Sequence, residues 1–418
     1  MPDLETALID DFIRYAKIDT QSDDSTGKNP STEGQMVLGA MVADEIREMQ
    51  VSLMESGKLN GGSVVHAENG FVYAKFPGNT EDIPAMGLIA HLDTASEAPG
   101  KDVKPKIINY HGGDITLENG IIIPENELIG LKGNKIIVTD GTTLLGGDDK
   151  AGIAEIKHGV RLAIESGKPR GDIIVMYSPD EEGCDGIDTI DLNNFPVVCA
   201  YTVDGSGGQL IENETFNGSK ATVQFKGVDI HPGNGYKILV NANHLMGEYM
   251  GKIPEDQRPE TTKGRDGFFY IIECRGSAKE ARLELIFRDF TKEGIEHMSE
   301  QLQIWADKLN LDYGEGTCGV EIAFQYPNMK SGFEGKEWAV ENAIIAAERA
   351  GVTPILGYIR GGTDGSHLTI EHGIPTPNIF TGGGNLHSVR ERLCVPWMIQ
   401  ATRTVENLVY AHAEHFLE

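Results

Sequence analysis

The sequence predicts an α/β protein, one sheet-and-helix domain interrupted by a smaller α+β domain. Three observations lead there. Short apolar runs of buried-strand type at 86–90, 173–178 and 197–203 alternate with helical patterns such as 33–49 and 151–166. Each of those runs is followed almost at once by an acidic or imidazole residue. Between about 217 and 327 the pattern changes to the order β-α-β-β-α-β, which is ferredoxin-like.

Residues 4–17 place Leu4, Leu8, Phe12 and Tyr15 on one helical face, and 33–49 reads as a second amphipathic helix. The run at 86–90 stops at His91. Residues 151–166 carry Ile153, Ile156, Val160 and Ile164 on one face, and Gly167 and Pro169 stop that helix. The runs IIVMYS (173–178) and VVCAYTV (197–203) are apolar throughout, as strands covered on both faces are. In the inserted stretch, strands are expected at 221–229, 268–274, 281–288 and 319–326, with helices at 235–251 and 292–309. A helix at 335–350 and Gly-rich, strand-like segments follow. The expected division is 1–216 with 328–418 as one domain and 217–327 as the insert.

Charge narrows the function classes. With 36 Lys+Arg against 64 Asp+Glu, the 418-residue chain has a formal charge of −28. Such a surface repels phosphate backbones and anionic lipid, so no nucleic-acid or membrane partner is expected. No run of 18 apolar residues occurs, and the acidic start MPDLETALIDDF does not resemble a signal peptide. The five cysteines (184, 199, 274, 318 and 394) form no CxxC pair. A disulfide framework or a Cys-ligated zinc is therefore not expected, and a reducing cytoplasm fits.

The chemistry sits at the strand ends. AHLDT places His91 and Asp93 past one strand, SPDEEG places Asp180, Glu181 and Glu182 past another, and YTVDG places Asp204 past a third. GGDDK places Asp148 and Asp149 directly before the 151–166 helix. Ligands of α/β sheets bind at the carboxyl ends of strands, so four loops aim carboxylates or imidazole at one edge. Uncompensated, that cluster repels itself, and divalent cations offset the repulsion. Mixed imidazole and carboxylate ligands suit zinc, cobalt or manganese. Taken singly, each motif has an ordinary reading: a polar strand end, or a solvated acidic pair. Their joint placement is what carries weight.

AHLDT, VKPKIINYHGGDITL, DGTTLLGGDDKAGIAEI, SPDEEG, YTVDG, RGGTDGSHL and PNIFTGG together resemble the peptidase T family of tripeptide aminopeptidases. That family belongs to the co-catalytic zinc exopeptidase superfamily, with aminoacylases, glutamate carboxypeptidases and dipeptidases. The match runs from about Ala90 to Glu391. The DGTTLLGGDDKAG and RGGTDGS blocks are specific; HLDT and DEEG alone indicate only the superfamily.

The resemblance implies a zinc-exopeptidase-like catalytic domain with a mixed sheet between helices, and an inserted lid. It implies two divalent ions, with Asp148 as bridging carboxylate and a cis bond from Asp148 to Asp149. His91 and Asp204 complete one metal shell; Glu182 and His387 complete the other. Glu181 is the implied general base, acting on a water held between the metals, and Asp93 the orienting carboxylate. TGGGNLHSVRE carries His387 and Glu391 but has Ser388 where the family has Gly. In the lid, His231 (of HPG), Asn241 and Arg288 (of RDF) resemble substrate-contacting positions, as does Arg360 of RGGTDGS. His231 would donate to the developing oxyanion, and the two arginines offer forks for a peptide carboxylate.

The implied partner is a short peptide, with room for a homodimer through the lid. Two other hydrolytic readings share these ligands: a dipeptidase and an N-acyl-amino-acid amidohydrolase. A non-catalytic peptide-binding relative would lack a ligand or the base, and here every expected position is filled. Cys184 reads as a spectator, and GGDDK lacks the spacing of a phosphate loop. Trp305, Trp338 and Trp397 read as packing residues. His111, His158, His244, His297, His372, His412 and His415 have no ligand-like context and are expected at the surface.

Overall fold

The computed structural model describes residues 3–183 and 186–417, so Cys184 lies outside the described residues. The chain divides into two compact units. The first comprises Met1–Asn213, Gly332–Tyr358 and Thr363–Glu418; the second comprises Glu214–Ser331 with Ile359–Gly362. The sequence places the insert at 217–327, whereas the compact unit also gathers 359–362. The cause is local: the Arg360 guanidinium donates to the Gly264 and Asp266 carbonyls at 2.6 and 3.0 Å.

In the first unit, eleven strands form one mixed sheet among the described residues. Its centre is four adjacent parallel strands in the order Ile173–Ser178, Met86–His91, Cys199–Ser206 and Asn378–Gly384. Both Ile173–Ser178 and Met86–His91 are buried at every position, which explains their unbroken apolar sequence. Helices Gly147–Ser166 and Val395–Leu417 pack on one another, and Gly147–Ser166 also packs on the central strands. On the sheet, Ile89, Ile174 and Met176 meet Phe195 and Leu368. Gly152 lets the helix approach closely: a Cβ there would sit 2.0 Å from the Val203 carbonyl oxygen.

Several elements differ in extent from expectation. The 33–49 helix runs over Glu33–Glu55, and the 151–166 helix begins at Gly147. Gly167, at φ +72°, ends the latter in the left-handed conformation. His412 is a correction to the surface expectation. It is 1% exposed, with Nε2 against the Pro84 carbonyl at 2.9 Å and Nδ1 against Cys199 Sγ at 3.6 Å. His158 is half-buried and meets Asp11 at 2.8 Å.

In the second unit, four antiparallel strands lie in the order Phe268–Gly276, Glu280–Asp289, Asn217–Lys226 and Cys318–Tyr326. Helices Ala242–Met250 and Lys292–Tyr313 close its core over Val223, Phe225, Leu283 and Leu285. The helix expected from 235 starts only at Ala242. Pro232, the turn over Pro232–Asn234 and a left-handed Lys237 (φ +60°) keep the preceding chain irregular.

Candidate metal centre

The four central strands end side by side, and their loops carry the acidic and imidazole residues. His91 closes Met86–His91, Asp204 lies within Cys199–Ser206, Glu182 follows Ile173–Ser178 and His387 follows Asn378–Gly384. Asp148 comes from the start of Gly147–Ser166. Its two oxygens face different partners. Oδ1 lies 2.8 Å from His91 Nε2, which is also 3.5 Å from Asp204 Oδ1. Oδ2 lies 3.3 Å from His387 Nε2, which is also 3.1 Å from Glu182 Oε1. Within each set, His91–Asp148–Asp204 and Asp148–Glu182–His387, the ligand-type atoms all lie within 4.8 Å of one another. One carboxylate shared by two such sets is the arrangement that two co-catalytic ions require.

Backbone donors and second carboxylates fix these side chains. Asp93 Oδ1 and Oδ2 accept the N–H groups of Glu181 and Glu182 at 2.9 and 3.0 Å. His91 Nδ1 lies 3.2 Å from Asp93 Oδ1 and 3.1 Å from the Asp93 carbonyl. A proton on Nδ1 leaves the Nε2 lone pair for a metal. Asp149 accepts the His91 N–H at 3.2 Å, and the Asp148–Asp149 bond is cis. The Asn378 amide oxygen accepts the Asp204 N–H at 3.3 Å.

Two contributors carry no assignment from sequence. Glu391 accepts the N–H groups of Leu145, Gly146, Gly147 and Asp148 at 2.6–3.2 Å, gripping the loop that presents Asp148. Asp364, of the RGGTDGS block, is buried and accepts from the Ser178 hydroxyl. The sequence signal for Asp364 is its place inside the specific RGGTDGS block; Glu391 has no such mark beyond standing four residues after His387.

The electrostatics are those of carboxylates and imidazoles crowded together away from solvent. Burial first, then Asp204, Asp364 and Glu182, hold the Glu181 carboxyl well above the usual range, with His91 opposing. Burial and Asp148 likewise hold Asp204 high. The neighbouring carboxylates of Asp148 and Glu182 push His387 up to about 12. Burial opposes a charge on His91, but Asp204, Asp148 and Asp93 outweigh it and hold its pKa well above normal.

The donor set fits metal. His387 Nε2 faces two carboxylates and can give a proton to only one of them. Glu182 Oε1 is buried without a hydrogen bond, although His387 Nε2 is 3.1 Å away. Proximity without hydrogen-bond geometry is how two ligands of one ion sit. A pair of imidazoles with three carboxylates suits first-row ions.

The remaining sequence candidates lie in the second unit, each engaged within it. His231 is exposed at the head of the Pro232–Asn234 turn, and its Nδ1 accepts the Gly233 N–H at 3.2 Å. Asn241 caps Ala242–Met250 through the Asn243 N–H at 3.0 Å. Arg288 is buried; its Nη1 donates to the Ser219 and Phe287 carbonyls and to Gln325 Oε1. Arg360 stacks over Phe216 and Phe268, and its Nη2 donates to Thr262 Oγ1 at 3.0 Å.

Comparison with known proteins places the chain in a family. The profile described as Peptidase family M20/M25/M40 matches residues 145–411. The chain is 41% identical to a peptidase T of Clostridium perfringens, over 96% of this chain and 98% of the relative. It is 38% identical to a peptidase T of Shouchella clausii, over 97% and 98%. The fold is that of an aminopeptidase PepT from Bacillus cereus, with TM-score 0.74 at 21% identity over 98% and 99% of the two chains. It is also that of a tripeptidase from Staphylococcus aureus, with TM-score 0.73 at 19% identity over 98% and 99%. The chain belongs to the peptidase T family of metallopeptidases, within peptidase family M20/M25/M40.

Proposed function

We propose that this chain is a metal-dependent aminopeptidase that releases the N-terminal residue from tripeptides. The observation that carries the reading is Asp148, whose two oxygens face two separate imidazole–carboxylate sets. His91, Asp148 and Asp204 hold one ion; Asp148, Glu182 and His387 hold the other. Zinc suits these ligands, and cobalt or manganese can take the same places. The tripeptide preference is supported by membership of the peptidase T family, whose relatives are 41% and 38% identical to this chain.

When bound, such a pair of ions lowers the pKa of water and polarises a peptide carbonyl. Glu181 takes the proton of the attacking water and delivers it to the leaving amine. Its N–H, with that of Glu182, is fixed by Asp93, which also orients His91. His231 donates to the developing oxyanion, and Asn241 is a further substrate-contacting position of the lid. Arg288 or Arg360 supplies a fork for the peptide carboxylate; for Arg288 this requires release from the Ser219 and Phe287 carbonyls and Gln325. For Arg360 this requires release from the Gly264 and Asp266 carbonyls. The second unit acts as a lid and as the surface of a homodimer, and the enzyme works in the cytoplasm on short peptides.

The test is a cleavage panel on metal-reconstituted protein, with products identified by mass. Tripeptides should yield a free N-terminal residue and an intact dipeptide. Turnover confined to dipeptides or N-acyl amino acids would replace this reading with one of the related hydrolases. Glu181→Ala should keep its metal and lose hydrolysis.

A further inference from the structure

The loop that carries Glu181 and Glu182 is held from a second side. Asp180, the residue before them, has φ +54°, in the left-handed region that is uncommon for a residue with a side chain. The holder is the start of the Glu33–Glu55 helix. Asp180 Oδ1 accepts from the Ser31 hydroxyl and, at 2.6 Å, from Gln35 Nε2. Its Oδ2 accepts the Ser31 N–H at 2.7 Å, and its own N–H donates to Gln35 Oε1 at 3.0 Å. Asp180 and Gln35 are fully buried and Ser31 is 4% exposed. Pro179 is closely packed as well: a Cβ on Gly70 would lie 3.2 Å from Pro179 and 3.1 Å from Pro30.

We infer that Asp180 is a positioning residue, and that Ser31 and Gln35 form a clamp that sets Glu181 for proton transfer. The Glu181–Glu182 pair is thereby fixed twice. Asp93 holds its N–H groups from beyond the Met86–His91 strand, and the clamp fixes the preceding residue from the Glu33–Glu55 helix. The clamp makes no contact with the ligand-type atoms themselves. Asp93 still holds the Glu182 N–H when the clamp is released, so Glu181, next to Asp180, shifts more than the ligand Glu182. A displacement of about 1 Å at a reacting group costs on the order of a hundredfold in rate. The inference rests on Glu181 as general base, and the experiment separates the two.

The experiment measures kcat, KM, bound metal and Tm for Gln35→Leu, Gln35→Glu, Ser31→Ala and the swap Gln35→Glu/Asp180→Asn, beside Glu181→Ala. Gln35→Leu should lower kcat by about tenfold or more, with KM within about twofold and metal content unchanged. Gln35→Glu faces Asp180 with a second carboxyl and should lose at least as much. In the swap, the amide introduced at position 180 donates to the carboxylate introduced at position 35. That carboxylate still accepts the backbone N–H of position 180, and kcat should return to within about threefold of the parent. Ser31→Ala leaves its backbone bond in place and should show a smaller loss. The inference is overturned if Gln35→Leu and Ser31→Ala keep the parental kcat at full metal content, even with a lowered Tm. It is also overturned if the swap is no better than folded Gln35→Glu. Residual turnover in Glu181→Ala would instead remove the general-base reading.

Discussion

Glu391 Oε1 accepts the Asp148 N–H at 3.2 Å, the last of four consecutive backbone donors that converge on this one carboxyl. Burial, with Gly146, Leu145 and Asp148 donating against it, brings the Glu391 pKa to about 7. The group positions the shared carboxylate without facing either ion set. Glu391→Gln keeps the size but turns an amide N–H₂ toward backbone N–H groups that need acceptors. Metal affinity should fall by about tenfold to a hundredfold, as for other supports of metal ligands. Equilibrium dialysis with metal analysis would read it, and unchanged affinity would leave Glu391 a helix cap only.

Asp93 supports two things at once: the imidazole of His91, through Nδ1, and the N–H groups of Glu181 and Glu182. Asp93→Asn can satisfy only part of that set, because one of its two carboxylate oxygens becomes a donor. We expect kcat to fall by about a hundredfold or more, since ligand and base shift together. Titration of zinc into apoprotein, followed by turnover at saturation, separates weaker binding from slower chemistry. Full kcat at saturating zinc would confine Asp93 to metal affinity.

How much of this is legible in the sequence follows from which interactions are local. His91, Asp148, Glu182 and Asp204 are legible because each adjoins a strongly apolar run or helix pattern, and strand ends gather by topology. Asp180's role is not, because its partners Ser31 and Gln35 lie far away in sequence. Glu391 grips Leu145–Asp148 with the whole second unit between them in sequence, and leaves no local pattern either. His412 reads as a surface residue because nothing nearby in sequence marks the Pro84 carbonyl and Cys199 that meet it. In the second unit, alternation in ARLELIFR locates a strand, but apolar residues around 238–240 extend the helix reading into turns. Backbone geometry at Lys237 and Pro232 overrules that periodicity.

Gly152 measures how tightly the Gly147–Ser166 helix must approach the Cys199–Ser206 strand. A Cβ there would meet the Val203 carbonyl oxygen at 2.0 Å and Asp149 Oδ1 at 2.4 Å. Neither the main-chain oxygen nor the buried Asp149 can retreat cheaply. Gly152→Ala should destabilise the fold by about 3 kcal/mol, despite the better helix propensity of Ala. A urea unfolding midpoint reads this directly. A gain in stability would mean that the helix can lift from the strand.

Asp11 gives a pH-dependent stability term away from the metal site. Burial works to raise its carboxyl, but the hydrogen bond with His158 and the Lys157 charge outweigh it and hold it well below the usual range. A depressed folded pKa adds stability that is present above the unfolded value, about 3.9, and is lost as pH falls below it. Asp11→Asn should therefore cost roughly 1–2 kcal/mol at neutral pH, a modest figure because Arg14 and the rim of the network are solvated. The difference from the parent should shrink at about pH 3. Denaturant midpoints at the two pH values check the sign. A deficit that persists in acid would assign the loss to packing.

Chelation tests the metal centre through folding rather than through turnover. Without cations, Asp148, Asp149, Glu182 and Asp204 share one buried cluster, and Asp204 and Asp149 are held well above the usual carboxyl range by burial and by neighbouring carboxylates. Ions that bind only the folded state stabilise it by RT ln(1 + [L]/Kd), about 4 kcal/mol at a thousandfold excess over Kd. That gain accrues to the first unit, which contains all five ligand candidates; the second unit has a hydrophobic core of its own. Calorimetry with and without EDTA should show the first unit's transition falling by several degrees and returning on addition of zinc. The transition of the second unit should stay in place. A trace that EDTA leaves unmoved, with metal analysis confirming removal, would mean that the acidic cluster is stable without cations and that the ligand assignment is wrong.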